Sequence, residues 1–108
     1  MEFRELKSFT NIIEIIASDE ELLSLQLELV ENPLKGKLVQ KTGGSRKIRM
    51  AVRGRGKSGG ARVIYYFQDR NDVIWMLMAY LKSEKTDLTQ NEIRDIAEII
   101  KEIKGGSL

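Results

Sequence analysis

The sequence AVRGRGKSGGARVIYYF, residues 51–67, decides the fold because a glycine-rich basic loop runs directly into a β-branched and aromatic segment. Its first half fits a permissive phosphate-binding loop, with Ala51 in place of the first glycine and then Gly56, Lys57 and Ser58. Such a loop needs a helix immediately after it, because the helix N-terminus supplies backbone donors to the phosphates. Residues 62–67 instead have the composition of a strand. We therefore interpret the segment as a loop between two antiparallel strands.

Further strands are predicted on both sides of the loop. Residues 46–53 alternate between apolar and basic side chains, which is typical of a half-buried strand with a cationic outer face. Residues 73–82 are apolar on both faces, as in a strand inside a sheet. Short strands are predicted over residues 2–7 and 37–41, with turns at residues 42–45 and 68–72.

Two helices are predicted before the main strands. Ser8 is expected to cap a helix over residues 9–17, where apolar side chains recur at helical spacing. Ser18 and Glu21 form a capping-box pattern that begins a second helix, and Pro33 ends it. This second helix is expected to place four apolar side chains on one side, namely Leu22, Leu25, Leu29 and Val30.

A third helix is predicted after the last strand. Thr89 and Glu92 repeat the capping-box pattern, and Gly105 follows the last apolar residues of the stripe. The element order predicts a single α+β domain over residues 1–108. It combines an antiparallel β-sheet meander with an N-terminal helical pair and a C-terminal helix.

The composition excludes several kinds of site. The chain contains neither cysteine nor histidine, so disulfides, thiolate metal sites and imidazole bases are ruled out. An enzyme built from it must use carboxylates, lysine, arginine, tyrosine or serine, and we predict neither a metal nor another cofactor. The chain has no long apolar run and no signal-peptide pattern, so we expect a cytoplasmic protein without a membrane partner.

Charge is distributed unevenly along the chain. Residues 1–34 carry two basic and eight acidic side chains, whereas residues 35–68 carry ten basic and no acidic ones. Residues 69–108 carry six basic and eight acidic side chains. An acid-free middle segment is the electrostatic footprint expected for binding a polyanion, and a solvated basic face is the alternative.

The predicted sheet gathers cations on one face. Lys47 and Arg49 point outward from one strand, Arg62 begins the next, and Tyr80 and Lys82 share a face near the end of the third. Cations neutralise phosphates and aromatic rings stack on unpaired bases, which favours single-stranded RNA as the ligand. Simple packing is an equal alternative for Tyr80, and a surface salt bridge is the alternative for Arg62.

The loop between the strands adds three more cations. Arg53, Arg55 and Lys57 alternate with glycines, which let the backbone conform to a ligand. We therefore predict a flexible cationic loop that contacts an RNA backbone. Arg46 and Lys85 are also predicted to contact RNA.

These residue types can carry RNA cleavage by the RNA's own 2′-OH. The reaction needs a base for the 2′-OH proton, donors for the phosphorane and an acid for the 5′ leaving oxygen. Arg49 and Arg62 suit the second role, because a guanidinium contacts phosphate oxygens in bidentate fashion. Crowding by other cations disfavours the charged form of a lysine. On this hypothesis Lys47 or Lys82 is the base and a second lysine is the acid.

Three segments carry a family signature. They are TGG at residues 42–44 followed by RKIR at 46–49, then GKSGGARVIYY at 56–66, then YLKSEKTDL at 80–88. In their order and spacing they resemble the HigB branch of the RelE/ParE superfamily of toxins from type II toxin–antitoxin systems. The resemblance extends from about residue 22 to residue 103.

This resemblance implies a RelE-like fold and a ribosome-dependent endoribonuclease. Such toxins cut mRNA in the A site of the 30S subunit, where they also contact rRNA. They are neutralised by a cognate antitoxin with a helix-turn-helix domain. By position, Lys47, Arg49, Arg62 and Lys82 correspond to the basic active-site residues of the family. Ser83 departs from the pattern, because many relatives have asparagine there.

Two alternatives remain open. The superfamily also contains gyrase inhibitors that act by binding, so family membership alone does not identify the target. A nucleic-acid-binding module without catalytic activity would show the same charge pattern. Mapping mRNA ends after induction separates these functions.

Overall fold

The computed structural model describes residues 1–54 and 56–108, so the RNA contact predicted for Arg55 lies outside the described residues. A 3-10 turn, Asp69–Asn71, joins the last two strands. The other elements are, in chain order, β1 (Glu2–Glu5), α1 (Lys7–Ile16), α2 (Asp19–Glu31), β2 (Lys37–Leu38), β3 (Arg46–Met50), β4 (Ala61–Gln68), β5 (Val73–Leu81) and α3 (Gln90–Lys104).

The strands form one five-stranded sheet in the order β1-β5-β4-β3-β2. Strands β2 to β5 are antiparallel to their neighbours, which confirms the predicted meander. Strand β1 joins the outer edge of β5 in parallel, with Glu2 opposite Val73. Parallel strands need a long connection, and here that connection contains both N-terminal helices and the other strands.

Helices cover both faces of this sheet. The N-terminal pair α1 and α2 packs on one face, where Phe9 and Leu25 join the core. Helix α3 packs on the opposite face through Ile96, Ile100 and Ile103. Because both faces are covered, β4 and β5 are apolar on both sides.

Both predicted capping boxes are present. The hydroxyl of Ser18 accepts from the amide of Glu21, and the carboxylate of Glu21 accepts from the amide of Ser18. Thr89 and Glu92 make the same reciprocal pair at the start of α3. These local signals therefore identify the starts of two of the three helices.

Two details of the helical prediction are wrong. Ser8 does not cap α1, which begins at Lys7; its hydroxyl instead donates to the carbonyl oxygen of Leu77, 3.0 Å away. Val30 does not face the core but is 50% exposed. It is turned by about 100° from the buried Leu29, and that rotation takes its side chain off the buried face.

Four strands are shorter than predicted. The strands expected over residues 2–7 and 73–82 end at Glu5 and Leu81, and in two others the backbone leaves the extended region. The strand expected over residues 37–41 ends at Leu38, and Lys41 has a φ of 66°. The strand expected over residues 46–53 ends at Met50, and Arg53 has a φ of 48°. Each positive φ turns the chain into a loop, which fixes where the adjoining strand stops.

A β-bulge determines which side chains of β5 lie on the same face as Arg49 and Arg62. The register between β4 and β5 shifts between Ile64 and Tyr65, so β5 holds one extra residue. Trp75 precedes the extra residue and Tyr80 follows it, and both lie on the face covered by α3. In a regular strand, two residues an odd number of positions apart would lie on opposite faces. Tyr80 thereby comes to lie opposite Arg62.

Candidate nucleic-acid interface

Three of the predicted site residues form a row across the sheet. Arg49 on β3 lies opposite Arg62 on β4, and Arg62 lies opposite Tyr80 on β5. Paired residues of adjacent strands point to the same face, so the three side chains are neighbours. Lys47 lies two residues before Arg49 on that face.

A pocket of about 450 Å³ opens beside this row. Four of the predicted cations line it, namely Lys47, Arg49, Lys57 and Arg62. Lys35 and Lys37 also line it, and the sequence analysis did not assign them a role. The signal was available, because both belong to the acid-free segment. One acidic residue lines the pocket, Glu28 of α2.

Arg62 is buried and firmly held. Its side chain is part of a residue that is only 8% exposed. One terminal nitrogen donates to the carbonyl oxygens of Lys57 at 3.1 Å and Ala61 at 3.2 Å, and the other donates to Ser58 at 3.2 Å. Within residues 1–54 and 56–108 Arg62 makes no ion pair, which leaves its charge available to an anionic ligand.

Lys47 lies beside a carboxylate that the sequence analysis missed. Its ammonium is 3.5 Å from Oδ1 of Asp87, in the segment between β5 and α3. The backbone amide of Leu88 lowers the pKa of the Asp87 carboxyl, and Lys47 lowers it further. Asp87 is therefore ionised at neutral pH and forms an exposed ion pair with Lys47. The available signal was its place in the last motif, two residues after Lys85.

Tyr80 has a buried hydroxyl without a hydrogen-bond partner among the described residues. The residue is 6% exposed, and the ammonium of Lys85 lies 5.2 Å from the centre of its ring. Burial raises the pKa of the Tyr80 phenol, and the Asp87 carboxylate adds to the rise. The phenol is thus neutral at physiological pH and can act as a donor. Lys85 also pairs with Glu92.

Lys82 lies apart from the other predicted catalytic residues. It follows the last residue of β5 and borders a shallow depression with Ser58, Gly59 and Ser83, not the cationic pocket. Its amide donates to the carbonyl oxygen of Gly60 at 3.0 Å, which ties the end of β5 to the end of the loop. An RNA that contacts both Lys47 and Lys82 must therefore pass from one depression to the other.

Described residues of the basic loop contact the helical pair, which the sequence did not predict. The amide of Arg53 donates to the Glu21 carboxylate at 2.5 Å. The Arg53 guanidinium donates to the carbonyl oxygens of Ile15 and Ile16 at the end of α1. Lys57 pairs with Glu28 at 2.9 Å.

Arg46 is also engaged by the protein. Its guanidinium donates to the carbonyl oxygens of Leu34 at 3.1 Å and Gly36 at 2.8 Å. These contacts hold the connection from α2 to β2 against the sheet. Of the cations predicted to bind RNA, Arg46, Arg53, Lys57 and Lys85 thus all have protein partners in this structure.

Two other kinds of feature do not occur in the described part of the chain. It holds no group of three or more acidic side chains arranged to bind a metal ion. None of its helices combines the length and the apolar content needed to cross a bilayer.

Solved structures with a similar fold are toxins. The fold is similar to that of the E. coli toxin RelE in the free state, in a variant with two arginines replaced by alanine. That match has a TM-score of 0.62 and 16% identity, and covers 90% of this chain and 93% of that one. It is also similar to the isolated E. coli RelE toxin, with a TM-score of 0.58, 16% identity and coverage of 91% and 97%. At this identity the likeness shows the fold.

The sequence itself matches a family over almost its whole length. Residues 7–107 match the family model described as the RelE toxin of the RelE/RelB toxin–antitoxin system. The match includes the row on β3 to β5, the basic loop and α3. The chain therefore belongs to the RelE family of toxins from toxin–antitoxin systems.

Proposed function

We propose that the chain is a ribosome-dependent mRNA endoribonuclease of the HigB-like branch, which halts translation by cutting mRNA in the A site. The observation that carries this proposal is the row Arg49, Arg62 and Tyr80 at the edge of a cationic pocket. A buried guanidinium that makes no ion pair within the described residues, beside a neutral phenol, is a donor set for a phosphate that gains charge. Membership of the RelE family supports the same function.

The proposed reaction is attack of a ribose 2′-OH on the adjacent phosphorus. The P–O5′ bond breaks, leaving a 2′,3′-cyclic phosphate on one fragment and a 5′-OH on the other. Arg62 and Arg49 contact the phosphate oxygens and stabilise the phosphorane, and Tyr80 contacts the RNA from the third strand. The reaction consumes no metal-bound water.

Proton transfer is assigned to the two lysines. Lys47 lines the pocket next to Arg49 and pairs with Asp87, which supports a role in proton transfer to or from the 2′-OH or the leaving oxygen. Lys82 borders the neighbouring depression and takes the other proton transfer. The direction in which the RNA crosses the loop determines which of Lys47 and Lys82 is the base and which is the acid.

The proposal is tested by measuring cleavage of a defined mRNA bound to a programmed ribosome. The wild type is expected to cut in the A-site codon and to leave a 2′,3′-cyclic phosphate, and a 2′-deoxy nucleotide at the cut position is expected to block the reaction. Lys47→Ala and Lys82→Ala should each lower the rate by about 10² or more. Cleavage that survives the deoxy substitution, or wild-type rates in both variants, would contradict the mechanism. Intact mRNA with damaged DNA would indicate a gyrase inhibitor instead.

We also propose a cognate antitoxin with a helix-turn-helix domain, as the family implies. An acidic segment of that antitoxin would match the charge of the pocket and cover the loop. Hydrogen exchange of residues 54–60 in the complex tests this docking mode. Protection of the loop is expected, and unchanged exchange there would place the antitoxin on another surface.

A further inference from the structure

We propose that Glu28 of α2 is a positioning residue for RNA cleavage, which acts through Lys57 to hold the guanidinium of Arg62. The inference rests on the proposed endoribonuclease function. Glu28 lies on the helical pair, outside the strands that carry the reacting groups, and its contribution is made through the loop between β3 and β4.

Glu28 is held in place by two lysines. Its Oε1 atom lies 2.9 Å from the ammonium of Lys57 and 2.8 Å from that of Lys35. The carboxylate is half-buried at the wall of the cationic pocket, with 24% of its side chain exposed. Burial opposes ionisation, but the two lysines outweigh it and lower the pKa of Glu28. The carboxylate is thus charged under physiological conditions.

Lys57 connects this carboxylate to Arg62. The side chain of Lys57 pairs with Glu28, and its main-chain oxygen accepts from Arg62 at 3.1 Å. The next carbonyl, of Ser58, accepts from the other terminal nitrogen of Arg62 at 3.2 Å. Fixing the Lys57 side chain therefore fixes two of the acceptors that set the plane of the guanidinium.

Among the described loop residues, the backbone is restrained internally by a hydrogen bond from the amide of Gly59 to the carbonyl oxygen of Gly56, 3.1 Å away. Gly54 has a φ of 79°, and a side chain added at Gly54, Gly56 or Gly59 would meet no atom within 4 Å. Glycine-rich backbone gains much conformational freedom when it is released. The loop is held at its start by Arg53 and at its end by Gly60. Between them, the Lys57 side chain ties the loop to α2, and Arg62 binds the carbonyl oxygens of Lys57 and Ser58.

The charge of Glu28 allows its positioning role to be distinguished from a role in RNA binding, because the two roles predict opposite effects of neutralising it on RNA affinity. Neutralising Glu28 removes the acidic group of the pocket, so attraction for a polyanion rises and RNA binding is unchanged or tighter. Releasing Lys57 at the same time disorders the carbonyls that hold Arg62, which lowers kcat. A residue that served only stability would change neither quantity in the folded protein.

The test is a set of variants assayed on programmed ribosomes. Glu28→Gln is expected to lower kcat roughly tenfold with KM unchanged or lower. Glu31→Gln, an exposed change of the same charge on the same helix, serves as the matched control and should leave both parameters at their wild-type values. A double-mutant cycle with Lys57→Met should show that the two substitutions do not add, because they break one interaction.

Hydrogen exchange of free protein gives an independent reading. Residues 56–60 should exchange faster in Glu28→Gln than in Glu31→Gln, while α2 keeps its protection. Wild-type kcat in Glu28→Gln, additive effects in the cycle or unchanged loop exchange would each overturn the positioning role. A wild-type protein that does not cut mRNA would refute the proposed function instead, and the loop exchange would still decide whether Glu28 holds the loop.

Discussion

Arg49 and Arg62 lie directly opposite each other on neighbouring strands, but only Arg62 is buried. Like charges in opposed positions destabilise a sheet. Here the repulsion is offset because the Arg62 guanidinium donates to carbonyl oxygens of the loop, whereas Arg49 remains exposed to solvent. Replacing Arg62 should therefore lower the free energy of unfolding more than replacing Arg49.

Arg62→Lys is expected to lower kcat roughly a hundredfold and to destabilise the fold by about 1–3 kcal/mol. Lysine keeps the charge, but its three donors lie on one nitrogen and cannot reproduce the planar fork with which arginine spans the loop carbonyls and a phosphate. Arg49→Lys is the matched control, with a smaller loss of kcat and unchanged unfolding free energy. Single-turnover cleavage and urea denaturation measure the two effects. Equal losses in both variants would show that the loop contacts of Arg62 do not matter.

Tyr80→Phe should separate activity from stability. It removes a buried hydroxyl with no partner in the described chain, so the unfolding free energy should change by no more than about 0.5 kcal/mol. If Tyr80 donates to the phosphate as proposed, cleavage should fall roughly tenfold.

Tyr65→Phe is the control for that experiment. The Tyr65 hydroxyl donates to the carbonyl oxygen of Pro33 at 2.8 Å and accepts from the amide of Gly36 at 3.0 Å. Its removal should cost about 1–3 kcal/mol of stability. A Tyr80→Phe protein that cuts mRNA at the wild-type rate would exclude the hydroxyl from the reaction.

Gly60→Ala is expected to destabilise the protein by about 2 kcal/mol or more. A Cβ at this position would lie 2.2 Å from the carbonyl oxygen of Met50, so the loop would have to move away from β3. Gly59→Ala adds the same atom next door, where no neighbour lies within 4 Å, and should be tolerated. Thermal and urea unfolding measure both variants, and equal stability would contradict the close approach.

Stability is expected to fall in acid as Glu28 takes up a proton. Its pKa is lowered in the folded state, so its contribution is fully present above the ordinary value of 4.5 and is lost as the pH drops through the folded value. Urea unfolding between pH 7 and pH 3 should show this loss. Glu28→Gln should show a shallower decline, and an identical slope would contradict the ion pairs with Lys35 and Lys57.

Much of this architecture follows from local chemistry. The capping boxes at Ser18 and Thr89 mark helix starts because each satisfies two backbone groups within one turn. The alternation around Ile48 identifies a strand because side-chain direction has a period of two. The acid-free segment likewise identifies the cationic pocket without any knowledge of the topology.

The anchoring of the loop could not be predicted in the same way. The Glu28–Lys57 pair joins residues that are 29 positions apart, and the contacts of Arg53 with α1 span 37 positions or more. Nothing in the local composition indicates such partners, because a glycine-rich basic segment has the same sequence whether it is free or tethered. The parallel pairing of β1 with β5 could not be predicted either, because it also joins residues that are far apart in the sequence.

The extra residue in β5 has a consequence for how this strand can vary. Trp75 must face α3 to complete the core, and Tyr80 must face the same side to reach Arg62, yet a regular strand would send them to opposite sides. The bulge reconciles these two requirements within one strand. An insertion or deletion of one residue between them would turn either Trp75 away from the core or Tyr80 away from Arg62, so the length of β5 is constrained as well as its composition.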